Sequence, residues 1–391
     1  MDGQVLVGFG DGIRMIQPVD LRRSPPSSLD DSFGGNAGDN LLGHEINAGD
    51  GFGGVLQPAL VYNSDTVNSQ LLSEIDYTPE TGMGVPTTLQ LQTTFNGGSP
   101  SAWVNFTPPS GSGQTYAMGS QLPAASSAGE YPALLHAYAY NGSITEDYFS
   151  GPLVVVDLRV SSPFGPGWSM AGIDQLLPLG NVGAVMYYGS GEPARWFAMN
   201  GSSYVSPSDD FGTLVKNGDS TFTYTSKHGV KWNFNTSGAL TSITDPHNLA
   251  VTVTYSGSLV NTLQMPDGGV TTFTYSSNLL ATIVEPGNRT LTVTHNGSGD
   301  VTGLTDADGS LRTFTYDSAH HLTNEQWGPL NVTYTYDSTT GVVTQIDAGG
   351  GTVYTIGNAA KIPLQTNPAA TLGQVVGTTT DPLNRTTTYT I

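Results

Sequence analysis

The chain has 391 residues, 11% of them charged, with a formal net charge of −20 and 12 Lys plus Arg against 32 Asp plus Glu. Basic side chains spread that thinly argue against a nucleic-acid or anionic-membrane surface, both of which need clustered Lys and Arg. Cysteine is absent, which excludes disulfides and thiolate metal sites. A low-charge chain rich in Gly, Pro, Ser and Thr, with no sustained 3.6-residue apolar period, predicts an all-β fold of short strands and turns. Met1 to Gly10 lacks the basic start and apolar centre of a secretory signal, and no long apolar run offers a membrane span.

Residues 1–57 hold two short strand patterns, Gln4 to Val7 and Ile13 to Ile16, followed by a Gly- and Asp-rich linker. Within the linker, Gly34-Gly35-Asn36-Ala37-Gly38-Asp39-Asn40-Leu41 approaches a calcium-binding nonapeptide, with Ala37 where Gly is expected. A single imperfect copy cannot stack on a neighbour, so a solvated linker is the simpler reading. Residues 58–160 predict a β-sandwich-like domain. Strand patterns at residues 60–62, 74–77, 87–94, 102–107, 115–118, 134–141 and 153–160 are separated by turn words such as Asn96-Gly97-Gly98. Leu89 and Leu91 alternate with Gln90 and Gln92, as in a half-buried strand. Trp103 and Phe106 are expected in the core, with carbohydrate stacking as the alternative role for Trp103.

Residues 161–391 open on Ser162-Pro163-Phe164-Gly165-Pro166-Gly167-Trp168-Ser169. This reads as a rigid turn where backbone passes close to other atoms while Phe164 and Trp168 anchor a sheet. Hairpin patterns follow from Phe211, and over residues 230–358 they become regular. Thr252-Val253-Thr254-Tyr255 returns as Thr272-Phe273-Thr274-Tyr275, Thr292-Val293-Thr294-His295, Thr313-Phe314-Thr315-Tyr316 and Thr333-Tyr334-Thr335-Tyr336, at steps of 20 or 21 residues. Each tetrad alternates with period two, and turns such as Asp245-Pro246-His247-Asn248 follow its partner strand, so one repeat is one hairpin. A lone hairpin is marginal in water, so neighbours must pair into a long sheet. Val253, Phe273, Val293, Phe314 and Tyr334 are expected to share a face with the terminal Tyr or His. Tyr255, Tyr275, Tyr316 and Tyr336 are expected to form one aromatic ladder. Residues 359–377 read as an inserted loop, after which Asp381-Pro382-Leu383-Asn384 restarts the unit.

Tyr316-Asp317 and Tyr336-Asp337, each with a turn about ten residues on, resemble the YD repeat of the RHS (rearrangement hotspot) family. That family includes bacterial polymorphic toxins, the C subunits of insecticidal Tc toxins and the teneurins. The Phe164-Gly165-Pro166-Gly167-Trp168 word resembles the segment that opens the repeat region in many of its members. The resemblance implies stacked hairpins forming part of a spiralling β-sheet shell. It also implies a non-catalytic role: enclosing or presenting a toxin-type cargo domain, secreted or at the bacterial cell surface. Its partners would be the rest of the shell and an encapsulated C-terminal domain missing from this chain, which would then be a piece of a longer one. The Asp-Pro-x-Gly-Leu word beside the family's autoproteolytic site has no match here, since Asp381-Pro382-Leu383-Asn384 shares only Asp-Pro.

No catalytic, cofactor-binding or metal-ligating residues are assigned. His320-His321 is the one adjacent histidine pair, and a surface turn is a simpler reading than a metal site. His295 takes the repeat's Tyr position. The carboxylates Glu146-Asp147, Asp209-Asp210 and Asp306 to Asp308 sit in turn contexts, where Asp bonds the backbone two residues on. No phosphate-binding loop or His-Glu-x-x-His helix occurs. The alternative function is a cell-surface adhesion or carbohydrate-binding module using exposed Tyr and Trp to contact surface glycans.

Overall fold

The computed structural model describes residues 15–16, 42–45, 59–62, 67, 72–77, 85–106, 116–121, 129–140, 144–155, 160–180, 183–187, 189, 195–207, 210–336, 338, 343–357 and 376–390. Among these every regular element is a β-strand, as the composition predicts. Among the described residues no helix is long and apolar enough to cross a membrane. Gln4 to Val7, the calcium-like word at residues 34–41 and residues 359–375 of the loop expected at 359–377 lie outside the described residues, while Val376 and Gly377 belong to a strand.

The chain divides into two units, one built mainly from residues 22–68 and 156–353, the other from residues 4–21, 69–155 and 354–391. In the first, fourteen strands run from Thr213 to Asp347 as a meander, each antiparallel to the next in sequence. The tetrads fall on one strand of each hairpin, such as Ala250–Ser256, Val270–Ser276 and Arg289–His295. Val253, Phe273, Val293 and Phe314 are buried as expected. Threonines fill the other face, where the hydroxyls of Thr254 and Thr262, and of Thr274 and Thr282, meet across strands at 2.6 Å.

The facing strands carry a feature that the period-two reading misses. Register slips between Thr254 and Tyr255, and again at Thr274/Tyr275, Thr294/His295, Thr315/Tyr316 and Thr335/Tyr336. At each slip the facing strand has one residue too many, in turn Asn261, Ala281, Thr302, Thr323 and Thr344. This is a β-bulge in every repeat. The extra residue reverses the alternation, so side chains three apart both point inward. Val260 and Leu263, Leu280 and Ile283, Val301 and Leu304, and Val343 and Ile346 are all buried.

Several turns share one device. The first Asx side chain accepts two backbone N–H groups: Asp245 Oδ1 takes those of His247 and Leu249, both at 2.8 Å, and Asp317 Oδ1 those of Ala319 and His321, both at 2.9 Å. The fourth turn residue is left-handed, as at Asn248, Gly309 and His320. Gly and Asn are the residues that adopt this conformation at least cost.

Two smaller sheets complete this unit. Trp168–Met170 pairs with Ala59–Tyr62, which pairs with Leu42–Glu45. Gln175–Pro178, Gly183–Tyr187, Arg195–Asn200 and Ser203–Val205 form the second. Ala59–Tyr62, the first strand pattern of the 58–160 region, thus joins the repeat unit instead of its sequence neighbours.

The other unit holds two antiparallel sheets from residues 15–155: Met15–Ile16, Leu72–Tyr77 and Tyr116–Gln121; and Val104–Phe106, Thr88–Phe95, Gly129–Tyr140 and Ile144–Val155. Phe106 is buried as expected, but Trp103 is not a core residue. Phe106 pairs with buried Leu89, whereas Trp103 sets its ring against His136 and Tyr138 on the opposite face. The restarted unit also forms, with Val376–Thr380 pairing with Thr386–Thr390 across the Asp381 turn.

The bulge makes a direct prediction. Leu280→Ala and Ile283→Ala should each destabilise by about 2–5 kcal/mol, while Ala281→Ser stays within about 0.5 kcal/mol. Denaturant melts of the three variants check this. An unbulged strand would put residues 280 and 283 on opposite faces, and one of the two truncations would then be silent.

Candidate functional site: a seam on the buried face of the repeat sheet

Two backbone segments lie against the inner face of the repeats, and glycine sets their approach. Gly165 has φ +111°, and a Cβ there would come within 2.8 Å of Val301 Cγ2. Gly167 has φ +77°, and a Cβ would come within 2.6 Å of the Tyr62 ring. Neither position accepts a side chain, so the Phe164-to-Trp168 word is a turn whose backbone touches both sheets. Pro163 O accepts the N–H of Leu280 at 2.8 Å, and the Phe164 backbone bonds the His295 ring.

Trp168 and Tyr62 are fully buried and meet at 5.6 Å between ring centroids. Trp168 stands edge-to-face on Phe314 at 5.2 Å, and Tyr62 on Tyr316 at 5.9 Å. Their polar atoms are matched too, as buried Tyr and Trp require. Trp168 Nε1 donates to Tyr316 Oη at 2.8 Å. Tyr62 Oη donates to His320 O at 2.8 Å and accepts the N–H of Leu322 at 2.9 Å. Burial pushes the Tyr316 hydroxyl well above its ordinary range, with Tyr62 adding to the shift.

The expected single tyrosine ladder is interrupted here. Tyr316 gives its ring to Tyr62, and Tyr336 stacks on His321 at 4.6 Å. Tyr275 remains close enough to Tyr255 that burial first, and then that neighbour, push its hydroxyl up. Residues 59–62 and 162–170 form an arm over the inner face, and its Tyr62 and Trp168 supply rings where the ladder would have used its own.

The histidine pair lies in a turn, as expected, and its members diverge. His320 Nδ1 meets Asp300 Oδ1 of the preceding repeat at 2.6 Å, while His321 Nδ1 meets Asp317 Oδ2 of its own turn at 2.9 Å. His321 is buried, so it is not the surface residue the sequence suggests. Among the described residues no group of three His, Cys, Asp or Glu is placed to hold a metal. His295 occupies the Tyr position, and burial lowers its pKa. Ser169 Oγ donates to Gly189 O at 2.6 Å. Asp210 accepts from Arg195 and Tyr224, and Asp308 from the N–H of Ser310 in its turn.

One charged pair sits where neighbouring repeats are apolar. Glu325 takes the place of Leu263, Ile283 and Leu304, and Arg312 that of Val251, Thr271, Leu291 and Val332, all apolar but Thr271. The two side chains form an ion pair in which Glu325 is buried and Arg312 half-buried, and Tyr334 hydrogen-bonds the carboxylate. The Arg312 guanidinium lies 5.7 Å from the Phe314 ring centroid and 6.0 Å from that of Trp327. Burial raises the Glu325 pKa, opposed by Arg312. A carboxyl raised in the fold takes up protons there more readily than in the unfolded chain. Its contribution to stability therefore falls as pH rises from the ordinary glutamate range through the raised value. Aligning the repeats exposes Arg312 and Glu325 as departures from pattern, but nothing local marks Tyr62, whose partners lie 258 and 260 residues away.

Removing one partner strands the other charge, so Glu325→Leu or Arg312→Leu alone should cost about 3–5 kcal/mol. The double variant restores the residue types of neighbouring repeats and should be neutral or stabilising by about 1–4 kcal/mol. A double-mutant cycle in denaturant checks both. Additive losses would show that the two residues act separately.

A model of the family described as RHS Repeat matches residues 295–326. That segment carries His295, Asp300, Arg312, Tyr316, His320, His321 and Glu325. None of the curated proteins matches. Solved structures similar to the chain include those titled TcdB2-TccC3-Cdc42 (12% identity, TM-score 0.30, covering 81% of this chain and 22% of that one) and TcdB2-TccC3 (12%, 0.29, 81% and 23%). TcdB2-TccC3-TEV is a third (11%, 0.30, 82% and 21%). The chain spans about a fifth of the length of those chains. The matched RHS repeat thus sits within a meander of like hairpins.

Proposed function

We propose that the repeat sheet is a non-catalytic wall that encloses or presents a cargo domain at or outside the bacterial cell surface. The observation that carries this reading is the fourteen-strand meander with one face that is mostly apolar and buried, within which an RHS repeat is matched. Such a sheet grows one hairpin at a time and gains stability from neighbours, so it suits covering better than chemistry. Several of its polar side chains pair with one another across the wall: Trp168 with Tyr316, Asp300 with His320, Asp317 with His321, and Arg312 with Glu325. The partners in this reading are further shell hairpins and an enclosed domain supplied by polypeptide outside these 391 residues.

The test uses the product of the full gene. Proteinase K should spare the enclosed domain while the wall is intact. It should digest that domain after Trp168→Ala, a truncation expected to cost about 3–5 kcal/mol at the arm. A product with no polypeptide beyond the wall rejects enclosure. So does a further domain cut as fast in the wild type as in the variant.

A further inference from the structure

The sheet formed by Val104–Phe106, Thr88–Phe95, Gly129–Tyr140 and Ile144–Val155 has two unlike faces. One is core, with Leu89, Leu91, Phe106, Leu135, Ala137 and Ala139 buried. On the other, the register sets side chains in rows across the strands. Asn105, Gln90, Tyr138 and Glu146 form one row, and Gln92, His136 and Tyr148 the next. Trp103 closes the second row, edge-on to His136 at 4.7 Å and to Tyr138 at 6.5 Å.

This face is ordered by its own contacts. The His136 and Tyr148 rings stack at 4.0 Å and 16°. His136 Nε2 meets Glu146 Oε1 at 2.6 Å, and Gln90 Nε2 donates to Asn105 Oδ1 at 2.6 Å. Tyr148 remains 60% exposed on the last strand of the sheet, and Tyr140, on the strand next to it, is also exposed. Three strand spacings make each row roughly 14 Å long, enough for a short run of sugar rings.

We propose that this face binds a neutral polysaccharide chain. The chemistry is two-sided in the way a sugar is. Aromatic planes take the C–H face of a pyranose, while amides and a carboxylate take its hydroxyls, since Asn and Gln both donate and accept and Glu accepts twice over. Charge narrows the class. Between residues 24 and 158 the sequence has no Lys or Arg, so a nucleic acid or a uronate polymer meets no counter-charge and faces Glu146 instead. A protein partner would need a larger apolar centre than isolated rings set among amides.

Affinity electrophoresis of the full chain tests this, in native gels cast with mixed-linkage β-glucan, xyloglucan, galactomannan or polygalacturonate. At least one of the three neutral polymers should retard the protein, and polygalacturonate should not. Tyr148→Ala should weaken the apparent affinity about tenfold, equivalent to roughly 1.4 kcal/mol, and Trp103→Ala should do likewise. Tyr148→Phe, which keeps the ring, should bind as wild type. Should Tyr148→Ala melt early, Tyr148→Gln at the same exposed position carries the comparison. The proposal is overturned by retardation in none of the neutral polymers, by retardation in polygalacturonate alone, or by a ring-deleted variant that migrates as wild type.

Discussion

The repeat depends on one geometrical constraint. A hairpin whose strands alternate strictly can bury every second residue and no other pair. Here the bulge opposite each Thr-Tyr step lets the second strand bury two side chains three residues apart. Each repeat thus gains an extra apolar contact opposite its Tyr. A bulge also strengthens local twist, and a long flat meander would otherwise leave its apolar face difficult to cover. The Asx turn secures the register on which the bulge relies, because a slip of one residue would turn the whole inner set outward. Asp245 and Asp317 hold their turns with a single oxygen shared by two N–H groups.

The arm that closes over the inner face follows from the same geometry. Bulges bring the tetrad's terminal ring and the facing aliphatic residue to one level, and the arm's own rings fill the space beside them. Trp168 and Tyr62 serve as both packing and hydrogen-bonding groups, which is why their partners are a hydroxyl and the backbone of a turn. The cost is borne by the two glycines. At Gly165 and Gly167 any side chain would enter Val301 or Tyr62, so the backbone itself is the contact surface.

Much of this is legible in the sequence. The tetrads, their period and their turn words give the strands, the meander and the buried residues at Val253, Phe273 and Phe314. The bulge is harder to see, because apolar residues three apart, as in Leu280 and Ile283, look like a broken strand pattern unless several repeats are laid over one another. The position of Ala59–Tyr62 is invisible, since a strand of four residues carries no sign of a partner that is more than a hundred residues away in sequence. Trp103 misleads for a related reason: large rings suit a core, but strand parity places this one with Asn105 on the polar face. The buried face of His321 is hidden behind a turn word that elsewhere marks solvent.

Repetition brings a problem that the polar residues of the seam address. A sheet of near-identical hairpins offers the arm several similar docks, each one repeat from the next, and apolar packing alone separates them poorly. Moved one repeat back, Trp168 would meet Val293 and His295 in place of a Phe314 ring and a Tyr316 hydroxyl. Moved one forward, it would meet Tyr336, whose hydroxyl already donates to Leu322 O at 2.8 Å. The His295 ring, the one tetrad end without a phenol, donates to the Phe164 backbone. Asp300 and His320 tie together the turns on either side of the dock, and Arg312 with Glu325 marks the next level of the sheet. Each departs from the repeat's common residue, and all lie within about one and a half repeats of Trp168's partner Tyr316. Buried polar groups add little net stability, but they make wrong alignments costly. Concentrating them where the arm lands gives a repetitive surface a single address.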